Sequence, residues 1–196
     1  MNGDEMLMTK LPGHANLAPA DLGDRMRRLA EPLPVLHAAR PPAEIALPYS
    51  PYQKDFSWVR DAGLRRAAEG LLAMPPPPVA LVPCHGDYQH FNLLWSRGRL
   101  TGIVDWNGIW LAPPELDVSH CRLNLAVLYG YDAAEAFRRH YESHAGRVVN
   151  QWWDVSGIGS FGTEWPSFIP RQVAGRAPLL PGMLARVEEL LRRAMA

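Results

Sequence analysis

The sequence predicts an α-rich α+β domain. Three observations carry that expectation. Several segments space their apolar residues at the helical period, one segment reads as a hairpin around a glycine turn, and proline clusters cut the chain between them. The 196 residues suit one domain, or one lobe of a larger enzyme, and can bury a hydrophobic core. With 47% apolar and 20% charged residues the chain is globular, not disordered.

Taken in order, Leu7 and Met8 belong to a short apolar run that stops at the turn Leu11-Pro12-Gly13. Asp21 caps a helix running to about Ala30, where Pro32 and Pro34 break the pattern. Leu33, Leu36 and His37 form another turn of helix before Pro41-Pro42, and residues 41–57 read as an ordered but irregular loop. A helix is expected from about Ser57 to Met74, with Val59, Leu64, Ala67, Ala68, Leu71 and Leu72 on one stripe. Pro75 to Pro78 form a polyproline spacer, and Val79 to Val82 a short buried strand. Leu93-Leu94-Trp95 and Leu100 to Val104 flank Ser96-Arg97-Gly98-Arg99 as a β-hairpin. Three helices follow, over about Leu116–Tyr129, Ala133–Ala145 and Gly182–Ala196. Between the last two, Gln151 to Pro170 shows no period but holds Trp152, Trp153 and Trp165, which suggests a loop over a pocket or interface.

Composition narrows the function. Twenty basic residues balance 20 acidic ones, which removes the electrostatic case for a nucleic-acid or anionic-membrane partner. Two cysteines, Cys84 and Cys121, make no disulfide framework and fit a reducing cytosol. The N-terminus has acids in place of a basic signal region, and no apolar run approaches the ~20 residues of a membrane span. A cytoplasmic protein is expected. Lys10 and Lys54 are the only lysines.

The dense stretch is His85-Gly86-Asp87-Tyr88-Gln89-His90-Phe91-Asn92, followed by the hairpin and then Ile103-Val104-Asp105-Trp106-Asn107. A strand delivers Asp87 into a loop, and the hairpin returns Asp105 beside Asn92. Two carboxylates and an amide so converge at one end of a small sheet. Hard oxygen ligands of this kind suit Mg²⁺, which takes one or two carboxylates plus substrate phosphates. Asp87 is left to position or deprotonate a hydroxyl nucleophile.

These residues resemble the catalytic and metal loops of the aminoglycoside phosphotransferase and choline-kinase family, relatives of protein kinases. His85-Gly86-Asp87 with Asn92 is similar to that family's catalytic loop, and Asp105-Trp106 to its counterpart of the kinase Asp-Phe-Gly metal site. The resemblance implies Asp87 as catalytic base, Asn92 and Asp105 as metal ligands, and His85 as a brace of the loop. Asp117, in Pro113-Pro114-Glu115-Leu116-Asp117-Val118, is similar to the family's helix-starting acid that hydrogen-bonds the catalytic loop. Leu7 to Gly13 resembles the hinge between the two lobes, Leu36-His37 a Leu-His after the next helix, and Val118 to Arg122 the helix after the metal site. Residues 6–145 follow the family's order, with Pro32, Pro34 and Ala112 departing from it.

The resemblance implies a kinase-like C-terminal lobe, with residues 1–13 a hinge or linker and 14–196 the lobe. It carries a catalytic loop at 85–92 and a metal loop at 105–107. The N-terminal nucleotide lobe is expected to be absent, because no lysine precedes Lys10 and Lys10 sits in the hinge. The implied activity is transfer of the ATP γ-phosphate, with Mg²⁺, to a hydroxyl of a small molecule, for which a cationic or amine-bearing acceptor fits better than an anion. The acceptor is expected between the Asp87 loop and the Trp152–Trp165 segment, with Asp154 and Glu164 supplying charge. The alternative is an inactive remnant or binding module that keeps the fold.

Other motifs carry less. Gly157-Ile158-Gly159-Ser160-Phe161-Gly162 matches a phosphate-binding glycine pattern, but Thr163-Glu164-Trp165-Pro166 does not continue as the required helix, so it reads as a flexible loop. Cys84, His85, His90, His120 and Cys121 match no zinc spacing, and a buried Cys ending a strand is an inert thiol.

Overall fold

Helices begin where the sequence places its caps. The computed structural model describes residues 9–42, 44, 46–49, 53–177 and 180–196; Leu7 and Met8 lie outside them. Asp21 accepts a hydrogen bond from the Asp24 N–H and starts α1 (Leu22–Ala30). The chain restarts at once as α2 (Pro32–His37), because Pro32 occupies the first helical turn, where its missing N–H costs nothing. Asp61 caps α3 (Ala62–Ala73) through the amides of Gly63 and Leu64. The predicted helix therefore starts five residues late, and Val59 packs in the core from the preceding loop.

The centre is α4 (Glu115–Tyr129), twelve of whose fifteen residues are buried. Such a helix shows almost no amphipathic stripe, because every face meets protein. Against it pack α5 (Tyr131–Ala145), α6 (Gln151–Ile158) and α8 (Met183–Ala194), with α1 on the outer side of α5. Arg122 of α4 is buried in this bundle between Asp154 of α6, which also accepts from Ser119 Oγ at 2.9 Å, and Glu135 of α5 at 3.6 Å.

Two small sheets stand beside the helices. In the first, β1 (Ala46–Pro48), β5 (Ile109–Ala112) and β2 (Val82–Cys84) lie in the order β1-β5-β2, β1 parallel and β2 antiparallel to the central strand. Prolines in both outer strands withhold edge N–H groups. The predicted strand at 79–82 is thus displaced to Val82–Cys84, and the supposed irregular loop 41–57 contributes β1. The second sheet is the predicted hairpin, β3 (Leu93–Ser96) with β4 (Arg99–Ile103). Arg97 and Gly98 both have positive φ, 49° and 74°, the signature of the tight turn that matches strand twist. The N-terminal segment lies along β3, with His14 and Trp95 exchanging backbone hydrogen bonds of 3.2 and 2.9 Å. Arg25 of α1 caps the Trp95 ring at 3.5 Å.

The stretch 151–170 is not a loop. Asn150 caps α6 through the amides of Trp152 and Trp153, and α7 (Trp165–Val173) follows. The glycines 157 and 159 are packing residues: a Cβ at Gly157 would lie 2.3 Å from Ser119 Cβ, and one at Gly159 2.7 Å from the Phe56 ring. Close approach of α6 to its neighbours, not flexibility, explains them. No helix among the described residues is long and apolar enough to cross a membrane.

Candidate active site

The Asp87 loop hangs between β2 and β3, and α4 holds it from behind. Asp117, fully buried on the first turn of α4, accepts from the backbone N–H of His85 at 2.9 Å and of Gly86 at 2.8 Å. Its Oδ2 also faces His37 Nε2 at 3.2 Å, and His37 Nδ1 lies 3.4 Å from the Tyr141 hydroxyl. Two loop amides and a histidine thus converge on one carboxylate. Gly86 is required here: its φ is +84°, and a Cβ would lie 2.5 Å from Trp110 Cδ1 on β5.

His85 ties the two predicted loops together. The Asp87 N–H donates to its Nδ1 at 3.2 Å, so the other nitrogen carries the proton and donates to Val104 O at 3.0 Å. Trp106 stacks on the same imidazole, centroids 4.3 Å apart. Val104 N–H donates in turn to Asn92 O at 2.9 Å, which sets the 105–107 loop beside Asn92.

Both oxygens of Asp87 are engaged. Oδ1 accepts from Gln89 Nε2 at 2.6 Å and lies 2.8 Å from His120 Nε2; Oδ2 accepts from Asn92 Nδ2 at 2.8 Å. Burial would raise the carboxyl, but the hydrogen bonds and charge of His120, with the amides of Asn92 and Gln89, outweigh it and hold Asp87 below the ordinary carboxylate range. The Asn92 nitrogen faces two acceptors, Asp87 O and Oδ2. Its amide orientation is thereby determined, and the carbonyl oxygen remains for a ligand. Asp105 is exposed on left-handed backbone, φ 67°. An exposed carboxylate beside an amide oxygen is a donor set that fits Mg²⁺.

His120, on α4 one turn after Asp117, is the contact residue that sequence reasoning left without a role. The signal was present: i and i+3 share a helix face, so a residue three after the loop-bracing acid points at the same loop. Of the three tryptophans proposed over the pocket, only Trp165 reaches it. Trp152 and Trp153 donate to Met74 O and Pro77 O and hold the polyproline spacer. Asp154 is buried in its pair with Arg122 and cannot serve an acceptor.

In front of Asp87 lies a groove in two arms that share Asp87, His120, Glu164 and Trp165. One arm, of about 500 Å³, is bounded by Asp55, Asn107 and the Gly159–Gly162 turn. The other, of about 410 Å³, is bounded by Gln89, Asn124 and the Phe168–Gln172 face of α7. Lys54 lines a small cavity behind Gly86, where burial lowers its amine to about 8.

Among the described residues one cluster, His37, Cys84 and Asp117, brings ligand-type atoms within 4.8 Å of one another. Asp117 and His37 are already hydrogen-bonded, and burial drives the Cys84 thiol far above its usual range. The trio is a strut behind the loop.

A carboxylate loop braced from a buried helix, with an amide and a second acid on the adjoining hairpin, is the architecture of kinase-like phosphotransferases. The sequence profile of the phosphotransferase enzyme family, APH, matches residues 4–153, and the chain belongs to that family. Among solved structures, macrolide 2′-phosphotransferase MphH from Brachybacterium faecium aligns at 19% identity with a TM-score of 0.51, over 92% of this chain and 61% of its own. Spectinomycin phosphotransferase APH(9)-Ia, solved with ADP and spectinomycin, aligns at 14% identity and 0.49, over 96% and 69%. A choline/ethanolamine kinase family protein from Mesorhizobium loti aligns at 19% and 0.44, over 87% and 60%. The chain thus spans 60% to 69% of the length of these proteins. No curated protein sequence matches it.

Proposed function

We propose that this chain is the acceptor-binding lobe of an ATP- and Mg²⁺-dependent phosphotransferase acting on a hydroxyl of a small cationic molecule. In this reading residues 14–196 are the C-terminal lobe and 1–13 the hinge or linker. The observation that carries it is the clamp on Asp87, a carboxylate held by three side-chain partners at the joint of an open groove. An alcohol is about as weak an acid as water, and Asp87 is held below the ordinary carboxylate range. It therefore does not ionise the hydroxyl in advance. It orients the hydroxyl by accepting its hydrogen bond and takes the proton as the phosphorus–oxygen bond forms, which suits a loose transition state. Asn92 through its carbonyl oxygen, and Asp105, would hold Mg²⁺, which when bound neutralises phosphate charge. His85 and Asp117 position the loop.

Acceptor charge follows from the lining. Asp55, Asp87 and Glu164 face the groove, and no Lys or Arg does among the described residues.

Positioning and phosphate electrostatics supply nearly all of this catalysis. Lys10 lies in the N-terminal segment and Lys54 behind Gly86, so neither occupies the phosphate-gripping place of the kinase template. The 196 residues alone are therefore expected to turn over far below the ~1 s⁻¹ of an ordinary kinase. The test is long incubation with ATP, Mg²⁺ and an amino alcohol, read by mass spectrometry. Slow phosphorylation abolished by Asp87→Ala is the expected result. A signal no greater than that of Asp87→Ala would leave a binding module instead.

A further inference from the structure

The two arms of the groove differ in chemistry, and they meet at Asp87. Apart from the shared residues, the first arm contains one ionisable side chain, Asp55, whose carboxylate the Ser57 backbone and hydroxyl hold below the usual range. The second arm has no ionisable side chain of its own. It presents Phe168, 43% exposed, beside Trp165, with three primary amides around them. Two of those amides point a nitrogen at the protein, Gln89 donating to Asp87 and Asn124 to His120 O at 3.0 Å, and no protein donor reaches their carbonyl oxygens among the described residues. What they offer a ligand is carbonyl oxygen, an acceptor for hydroxyl or N–H groups. Glu164 stands at the joint. Its carboxylate folds over Gly162, where a Cβ would lie 2.2 Å from an oxygen, and it makes no salt bridge among the described residues.

We infer that the acceptor is a two-part monocation, with its amine in the Asp55 arm and an uncharged, hydrogen-bond-donating ring in the Phe168 arm. The hydroxyl that receives phosphate lies between the two parts, because Asp87 lies between the two arms. This rests on the phosphotransferase reading for the fate of the hydroxyl, and on lining chemistry alone for the two parts. An aromatic or sugar-like ring gains contact with Trp165 and Phe168. A second ammonium in that arm would lose water without gaining a carboxylate of its own.

The site chooses against polycations.

The test uses 2-amino-1-(4-hydroxyphenyl)ethanol, which has its hydroxyl between a ring and an amine. It is compared with ethanolamine, which lacks the ring, with 1-(4-hydroxyphenyl)ethanol, which lacks the amine, and with spermidine, a polycation. Binding to the full chain is measured by calorimetry without nucleotide. The aryl amino alcohol should bind about threefold to tenfold more tightly than ethanolamine, the range of an aromatic contact. Phe168→Ala should erase that advantage and leave ethanolamine unchanged. Glu164→Gln should weaken both amines about threefold, as for an exposed ion pair, and leave the deaminated probe unchanged. Both side chains are exposed, so neither substitution threatens the fold. Tighter binding of spermidine, or an aryl affinity indifferent to Phe168→Ala, overturns the inference.

Phosphoryl transfer is then followed separately with ATP and Mg²⁺. Expected binding without Asp87-dependent transfer upholds the two-part site and removes the phosphotransferase reading. Asp87-dependent transfer to ethanolamine, with no tighter binding of the aryl amino alcohol, does the reverse.

Discussion

The Asp87 loop and the Asp105 loop sit side by side but are built in opposite ways. The loop at 85–92 is tied at its centre: its backbone to Asp117, its first histidine to Val104, its aspartate to three side chains. The loop at 105–107 is exposed, with Asp105 on left-handed backbone and a short-range Asn107 N–H to Asp105 O contact of 3.2 Å. The difference fits the roles proposed for the two loops. A group that aims a hydroxyl gains from being fixed before substrate arrives, since misplacement by an ångström is costly. A magnesium ligand must exchange with water and nucleotide, and Mg²⁺ keeps several waters in any case.

The largest expected effect comes from breaking the clamp at its root. Asp117→Ala leaves two loop N–H groups and His37 without their acceptor in a fully buried place. An unsatisfied buried partner costs about 1–3 kcal/mol, and more for charged groups, so a loss of at least about 3 kcal/mol is expected. Guanidinium denaturation measures it. A loss under about 1 kcal/mol would mean that the loop is held elsewhere.

The same tight loop contains a group that works against it. His90 is buried, stacked on Phe91 at 4.4 Å, and both its ring nitrogens lack partners among the described residues. Burial pushes it down from 6.5 to about 3. The sign is therefore the reverse of the usual histidine case. Between pH 6.5 and 3 the unfolded chain binds a proton that the folded chain refuses, so stability falls as pH falls, by up to about 1.4 kcal/mol per unit. His90→Phe keeps the stacking and removes the proton. Compared at pH 7 and pH 5, the variant should gain about 1–2 kcal/mol on the wild type. Parallel curves would show that His90 stays protonated, or finds a water, in the fold.

How much of this was readable beforehand divides along similar lines. Local signals transferred well: Asp21 as a cap, the Arg97-Gly98 turn, and the periodic stretches that became α5 and α8. The two loops were found because the residues that meet are close in sequence or joined by a short hairpin. What failed depends on distant partners. β1 and β5 pair across some sixty residues, and strands of three and four residues carry too little alternation to detect. α6 is hemmed in on several sides, so its Gln-Trp-Trp-Asp-Val-Ser-Gly-Ile run lost its period; only Asn150 signalled its start. α7 contains Pro166 and Pro170, which argued for a loop. His120 needed the knowledge that α4 packs behind Asp87.

The smallest effect on stability should come from the open side. Asp105 is exposed and in the left-handed region that Asn tolerates as well as Asp, so Asp105→Asn should change unfolding free energy by no more than about 0.5 kcal/mol. Its effect on metal should be disproportionate. In the proposed site Mg²⁺ without nucleotide phosphates would add Asn92 and Asp105 to its waters, so weak binding is expected to begin with. Replacing the sole carboxylate of that pair removes the charge that draws the ion, and calorimetric titration should show the remaining heat fall away. A variant that binds Mg²⁺ as the wild type does would take Asp105 out of the metal role. A variant that unfolds would show instead that the exposed loop, like its neighbour, is held by contacts that stabilise the fold.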